Sequence, residues 1–165
     1  MVIVLSTDSA PNRLVFMRFR PTWVYIDGIR EFCRFFCETT FGDGDIADRV
    51  QLVIQELLEN AVKYSADKSV CDVEFSIEAD AQSFAIAVRN YPSPDAAEKL
   101  KAELSLQSSM GAEEAYAFAL RRAATLEAGA GRMGLARLRL EGGMNMSIAT
   151  EPDGRLTVTA TGDIS

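Results

Sequence analysis

Glu56, Asn60 and Lys63 are spaced four and then three residues apart, in a run whose apolar positions repeat at helical intervals. A helix there would project all three from one side. On one face, a carboxylate can polarise a nucleophile, an amide oxygen can complete a Mg²⁺ oxygen shell, and an ammonium can approach a phosphate. That combination suits a nucleoside triphosphate. The plain alternative is a solvated helix face carrying an i, i+4 hydrogen bond and a neighbouring lysine. The sequence contains no histidine, which argues against Ser-His-Asp hydrolysis and His-ligated zinc.

The elements that position these residues follow from patterning. Val2–Leu5 and Leu14–Arg20 read as extended segments, the second closed by Pro21. Ile26, Ile29, Cys33, Phe36 and Cys37 give a helix over about Thr22 to Phe41, with the aromatic-rich side that includes Phe35 open to an interface or a broad core. Asp45 is expected to cap a second helix running to about Ser65, with Ile46, Val50, Val53, Leu57, Ala61 and Tyr64 as its buried stripe. Cys71, Val73, Phe75, Ile77 and Ala79 alternate with polar residues. They predict a strand with one wet face, paired as a hairpin with the strand carrying Phe84, Ile86 and Val88. Helices over about Asp95–Leu106 and Ala112–Glu127 follow, the latter with Ala115, Ala119 and Leu120 on its apolar side. A short basic helix, Leu135–Leu140, then leads to a hairpin, Met144–Thr150 and Arg155–Thr161, turned at Pro152-Asp153-Gly154. The fold class expected is α+β: a two-layer sandwich with a mostly antiparallel mixed sheet and helices on one face. One domain over residues 1–165 is expected.

Composition narrows the partners. Seventeen basic and 24 acidic residues give a net charge of −7, which disfavours wrapping on nucleic acid. Three cysteines without a CxxC support neither a disulfide framework nor a zinc knuckle, so Cys33 and Cys37 read as small core residues in a reducing, cytoplasmic setting. No run approaches membrane-spanning length, and neither a signal peptide nor a membrane contact is expected.

The decapeptide Glu56-Leu57-Leu58-Glu59-Asn60-Ala61-Val62-Lys63-Tyr64-Ser65 resembles the N-box of the GHKL (Bergerat-fold) ATPases, the superfamily of histidine kinases and small anti-sigma-factor serine kinases. Element order from about residue 22 onward is also similar, with a variable lid over about 92–130. The resemblance implies that Glu56 assists attack by a hydroxyl, that Asn60 holds Mg²⁺ and that Lys63 lies near phosphate. Where the family carries an adenine-binding aspartate followed by two glycines, this chain has Asn90, Pro92 and Pro94. Asn90 can still accept from an adenine amine, though as a neutral group. Gly129-Ala130-Gly131-Arg132-Met133-Gly134-Leu135 looks like the family's phosphate-binding glycine segment, with Arg132 where a glycine would stand. Thr157 or Thr159 would take the family's threonine role near adenine.

A phosphoacceptor histidine and a sensor module are both missing from the pattern, so the resemblance points to a stand-alone switch protein. It implies ATP and Mg²⁺ as cofactors and phosphorylation of a serine or threonine on a small STAS-like or anti-sigma antagonist, within a bacterial partner-switching module. A homodimer through the first strand and helix is the accompanying expectation. The alternative is a degenerate relative that keeps the fold as a protein-interaction module and binds ATP poorly, as the changes around Asn90 suggest. An unrelated α+β binding domain with a coincidental N-box is the third reading.

Overall fold

The computed structural model describes residues 12–67, 71–125 and 133–164. The strand expected at Val2–Leu5, and Gly129, Gly131 and Arg132, lie outside them.

Chain order runs β1 (Asn12–Phe19), a 3₁₀ turn at Trp23–Tyr25, α1 (Ile26–Phe41), α2 (Gly44–Tyr64), β2 (Val73–Ala79) and β3 (Ser83–Asn90). Then come α3 (Pro94–Ser108), α4 (Ala112–Thr125), α5 (Gly134–Leu140), β4 (Asn145–Thr150) and β5 (Leu156–Asp163). Among the described residues the five strands form one sheet in the order β1-β2-β3-β5-β4, and each neighbouring pair is antiparallel. This is the α+β two-layer arrangement the patterning predicts. β5 lies beside β3 although three helices and β4 separate them in the chain, which puts the two strands with the most regular inward alternation at the sheet centre.

Register sorts side chains between the faces. Val88 lies opposite Phe75 on one side and Val158 on the other, and Ile86 likewise faces Ile77 and Ala160. These six are buried and meet the apolar stripes of α1 and α2, including Cys33, Cys37, Val50, Val53, Ile54, Leu57 and Leu58. Cys33 and Cys37 are core residues, and burial pushes both thiols up to about 12. α1 stops at Gly42, whose φ of 69° is left-handed backbone that a Cβ would disfavour. Two details differ from expectation. The cap of α2 is Asp43, whose carboxylate accepts from the amides of Asp45 (2.8 Å) and Ile46 (3.4 Å). Asp45 instead occupies the first turn, favourable to the helix dipole. On α4, Ala115 and Ala119 are buried but Leu120 is exposed.

Candidate functional site

α2 positions the three residues of the proposed set, yet they face different surroundings. Its buried stripe ends with Leu57, Leu58, Ala61 and Val62, and Glu56 and Asn60 flank that stripe, half-buried. Lys63 is exposed on the last turn, its ammonium 5.2 Å from the Tyr64 ring centroid.

Asn60 and Asn90 come together at one cavity, lined also by Leu57, Tyr64, Pro92, Ala96, Leu100 and Leu135. Asn90 is the last residue of β3 and is buried. Its amide nitrogen donates to Ser65 Oγ (3.1 Å) and to the Ala61 carbonyl (3.4 Å), and Ser65 Oγ donates to that same carbonyl (2.6 Å). The strand end is thereby tied to the C-terminal turn of α2. Among the described residues neither Asn90 Oδ1 nor the Asn60 side chain has a hydrogen-bond partner. The cavity is small, about 20 Å³, and Pro92 and the α3 residues Ala96 and Leu100 are among its walls. That volume admits about one water molecule.

One turn before Asn60, Glu56 meets α5. Gly134 opens that helix with its Cα against the Glu56 carboxylate, and a Cβ there would collide with Oε2. Arg137 Nη1 donates to Glu56 Oε1 at 2.8 Å. Burial pushes the Glu56 carboxyl above its ordinary value, the nearby Arg137 charge pulls it back, and Glu59 and Glu141 add to the rise. A carboxyl of raised pKa beside a cation is suited to proton transfer once the cation moves away. Arg137 is the residue that sequence reasoning missed. Its signal was a basic side chain one helical turn after Gly134, which has meaning only when α5 is known to pack on α2.

Of the remaining expected residues, Thr157 is placed elsewhere. β5 buries Leu156, Val158 and Ala160 toward the helices, so alternation turns Thr157 to the opposite face. There its hydroxyl accepts from Arg89 Nε (3.0 Å) and donates to Glu151 (2.9 Å). Thr159, two residues on, shares that face. Neither lies with Asn60 and Asn90. Gly129, Gly131 and Arg132 fall outside the described residues. Among those described, no cluster of three or more Cys, Asp or Glu is arranged to hold a metal ion, and no helix is long and apolar enough to cross a membrane.

No family model matches the sequence, and no curated protein matches it either. The fold does have solved counterparts. A chain in the crystal structure of the SiaB–SiaC complex from Pseudomonas aeruginosa superposes with a TM-score of 0.65 at 18% identity. The match covers 92% of this chain and 90% of that one. At this identity the likeness concerns the fold.

Proposed function

We propose that this chain is the kinase of a bacterial partner-switching module, a GHKL-type protein that uses ATP and Mg²⁺ to phosphorylate a serine or threonine on a small STAS-like partner. The observation that carries the reading is the meeting of Asn60 and Asn90, two amides whose oxygens have no partner among the described residues, at a cavity whose edge at Leu135 adjoins the Gly134–Glu56 contact. Their chemistry fits the ligands. An amide oxygen is a hard donor for Mg²⁺, Asn90 Oδ1 can accept from an amine on a base, and Glu56 can accept a hydroxyl proton. Their spacing around the cavity fits less well, since about 20 Å³ is far below the several hundred Å³ of a nucleotide pocket. Binding therefore requires α3 to withdraw Ala96 and Leu100.

When bound, ATP and Mg²⁺ would supply the phosphoryl group and neutralise its charge. The chain's own part is to position: Asn60 orients from α2, Asn90 fixes the far end from β3, and Glu56 receives the proton after Arg137 releases it. A protein partner is supported by the similar fold in a structure that is itself a complex of two proteins. Self-association through β1 and α1 belongs to the same proposal. It is supported by exposed Trp23, Val24 and Tyr25 beside β1, and by Phe35 on α1, which is 70% exposed.

A second reading, an interaction module that has ceased to bind ATP, is favoured by the closed cavity and by the Glu56–Arg137 ion pair. Calorimetric titration with ATP and Mg²⁺ separates the two. A kinase gives metal-dependent micromolar binding that Asn60→Ala weakens by about tenfold or more. Absence of heat at millimolar ATP selects the interaction module.

A further inference from the structure

Among the described residues β1 is an edge strand. β2 pairs with it on one side, and on the other no described residue bonds to the backbone of Val15–Phe19. Proteins usually blunt such an edge with bulges, prolines or charges. Here a register shift between Arg13 and Val15 interrupts the start of the strand, and Pro21 follows its end. Between these two, Phe16, Arg18 and Arg20 turn outward in regular alternation with Met17 and Phe19, which pack on the core.

Beside this stretch runs a groove of about 690 Å³. Its helix side is apolar, made by Val24, Tyr25 and Ile29, and Gly28 leaves room there, since a Cβ on it would meet nothing within 4 Å. Val24 is 81% exposed. A strand laid along β1 would set alternate side chains against this wall and the others on the opposite face of the sheet. That opposite face is basic at its rim. Arg13, Arg18 and Arg20 each give a nitrogen to an acid on the β2 side, Glu78, Glu74 and Asp72 in turn, and all three arginines stay more than half exposed. Among the described residues nothing accepts from their remaining guanidinium nitrogens. Acidic side chains at the outward positions of an added strand would meet those donors. A second β1 would not, because laid antiparallel over Phe16–Arg20 it sets Arg18 against Arg18.

We propose that the outer edge of β1 takes up, as an added strand, an extended segment of a protein partner in which apolar residues alternate with acidic ones. The inference goes beyond the kinase reading and stands without it. Self-association draws on the same exposed residues beside β1, so the partner's strand and a second copy are alternatives for one surface.

The probe is a short blocked peptide alternating valine with glutamate, titrated into the full ¹⁵N-labelled chain, with a valine–lysine peptide as control. The glutamate peptide should shift the amides of Phe16–Arg20 and Tyr25–Ile29 with a Kd of about 0.1–1 mM, and slow exchange of the β1 amides by about tenfold. The lysine peptide should bind about tenfold more weakly. Arg20→Gln, whose partner Asp72 is itself at the surface, should weaken the glutamate peptide about threefold without weakening the lysine peptide. Equal binding of the two peptides removes the acidic partner, and no shift at Phe16–Arg20 at about 1 mM peptide removes the strand site. Sedimentation and hydrogen exchange of the free protein identify any other occupant. A dimer whose β1 amides are already protected places a second copy on this edge, and a monomer with the same protection places the chain's own residues 1–11 there. Either result overturns the proposal.

Discussion

At Glu56 two opposing influences meet in a side chain that is 16% exposed: burial disfavours its charge, and Arg137 stabilises it. Removing the arginine alone leaves a poorly hydrated carboxylate without its counter-charge. Arg137→Ala should therefore destabilise the fold by about 1–2 kcal/mol near neutral pH, a figure kept low because Arg137 is itself partly exposed. Glu56→Gln still accepts from Arg137 and should cost less than about 1 kcal/mol, and the double variant should be less damaged than the two losses added together. The pH dependence has a definite sign. A carboxyl raised in the folded state holds its proton more tightly there than in the unfolded chain, so its cost is felt above that pKa and fades as pH falls. Without Arg137 the carboxyl rises further. Urea unfolding of wild type and Arg137→Ala should then show a gap that is widest near about pH 7 and narrows toward about pH 5. A gap that stays constant would mean that Arg137 acts by packing alone. Asn90 shows the same dependence on partners: an aspartate there would lose both amide donors that tie β3 to α2.

Those residues are only as well placed as the helix that carries them, and α2 is fixed at its start by Asp43. Asp43→Ala should cost about 1 kcal/mol, lowering the midpoint of thermal unfolding by about 2–4 °C in a chain of this size. Asp45→Ala, which removes only a dipole interaction, should cost less than half as much. Equal losses would return the cap to Asp45, where spacing alone puts it. Asp43-Gly44-Asp45 offers two candidates two residues apart, and patterning does not resolve a difference that small. Elements with sustained periodicity were legible: the apolar stripes of α1 and α2 and the alternation of β2 and β3 lie where spacing predicts. Which face of a strand meets the helices was less so. Leu156 and Thr157 alternate visibly, but only packing against α2 decides that Leu156 is inside and Thr157 outside. Asn60 and Asn90 were legible as residue types, whereas their closure by Leu100 and the clasp of Glu56 by Arg137 join elements far apart in sequence.

With the helices packed against one side of the sheet, the other side must satisfy its own charges. Glu74 lies on β2's expected wet face, yet it is only 9% exposed, because Arg18, Arg89 and Arg155 all reach its carboxylate. Burial alone would raise its carboxyl, but hydrogen bonds from Arg18 and Arg89 and the charge of Arg155 outweigh that and hold it below the ordinary 4.5. A depressed carboxyl contributes stability that is complete above its unfolded pKa and is lost as pH falls through the lower, folded one. Net charge works in the other direction over part of this range. The chain carries −7 at pH 7, and with a pI near 4.7 its self-repulsion weakens as acid is added down to that point. Stability should accordingly hold or rise from neutral pH to about the pI, then fall steeply as Glu74 and the remaining carboxylates take up protons. Glu74→Gln identifies the share owed to this residue. At neutral pH it leaves three guanidiniums gathered around a neutral amide, at a cost of about 2 kcal/mol, and in strong acid, where the wild-type carboxyl is protonated too, the two proteins should converge. If the variant's deficit persisted unchanged through acid, the arginines would be held on this face by packing and by Glu151 and Asp153 rather than by the charge of Glu74.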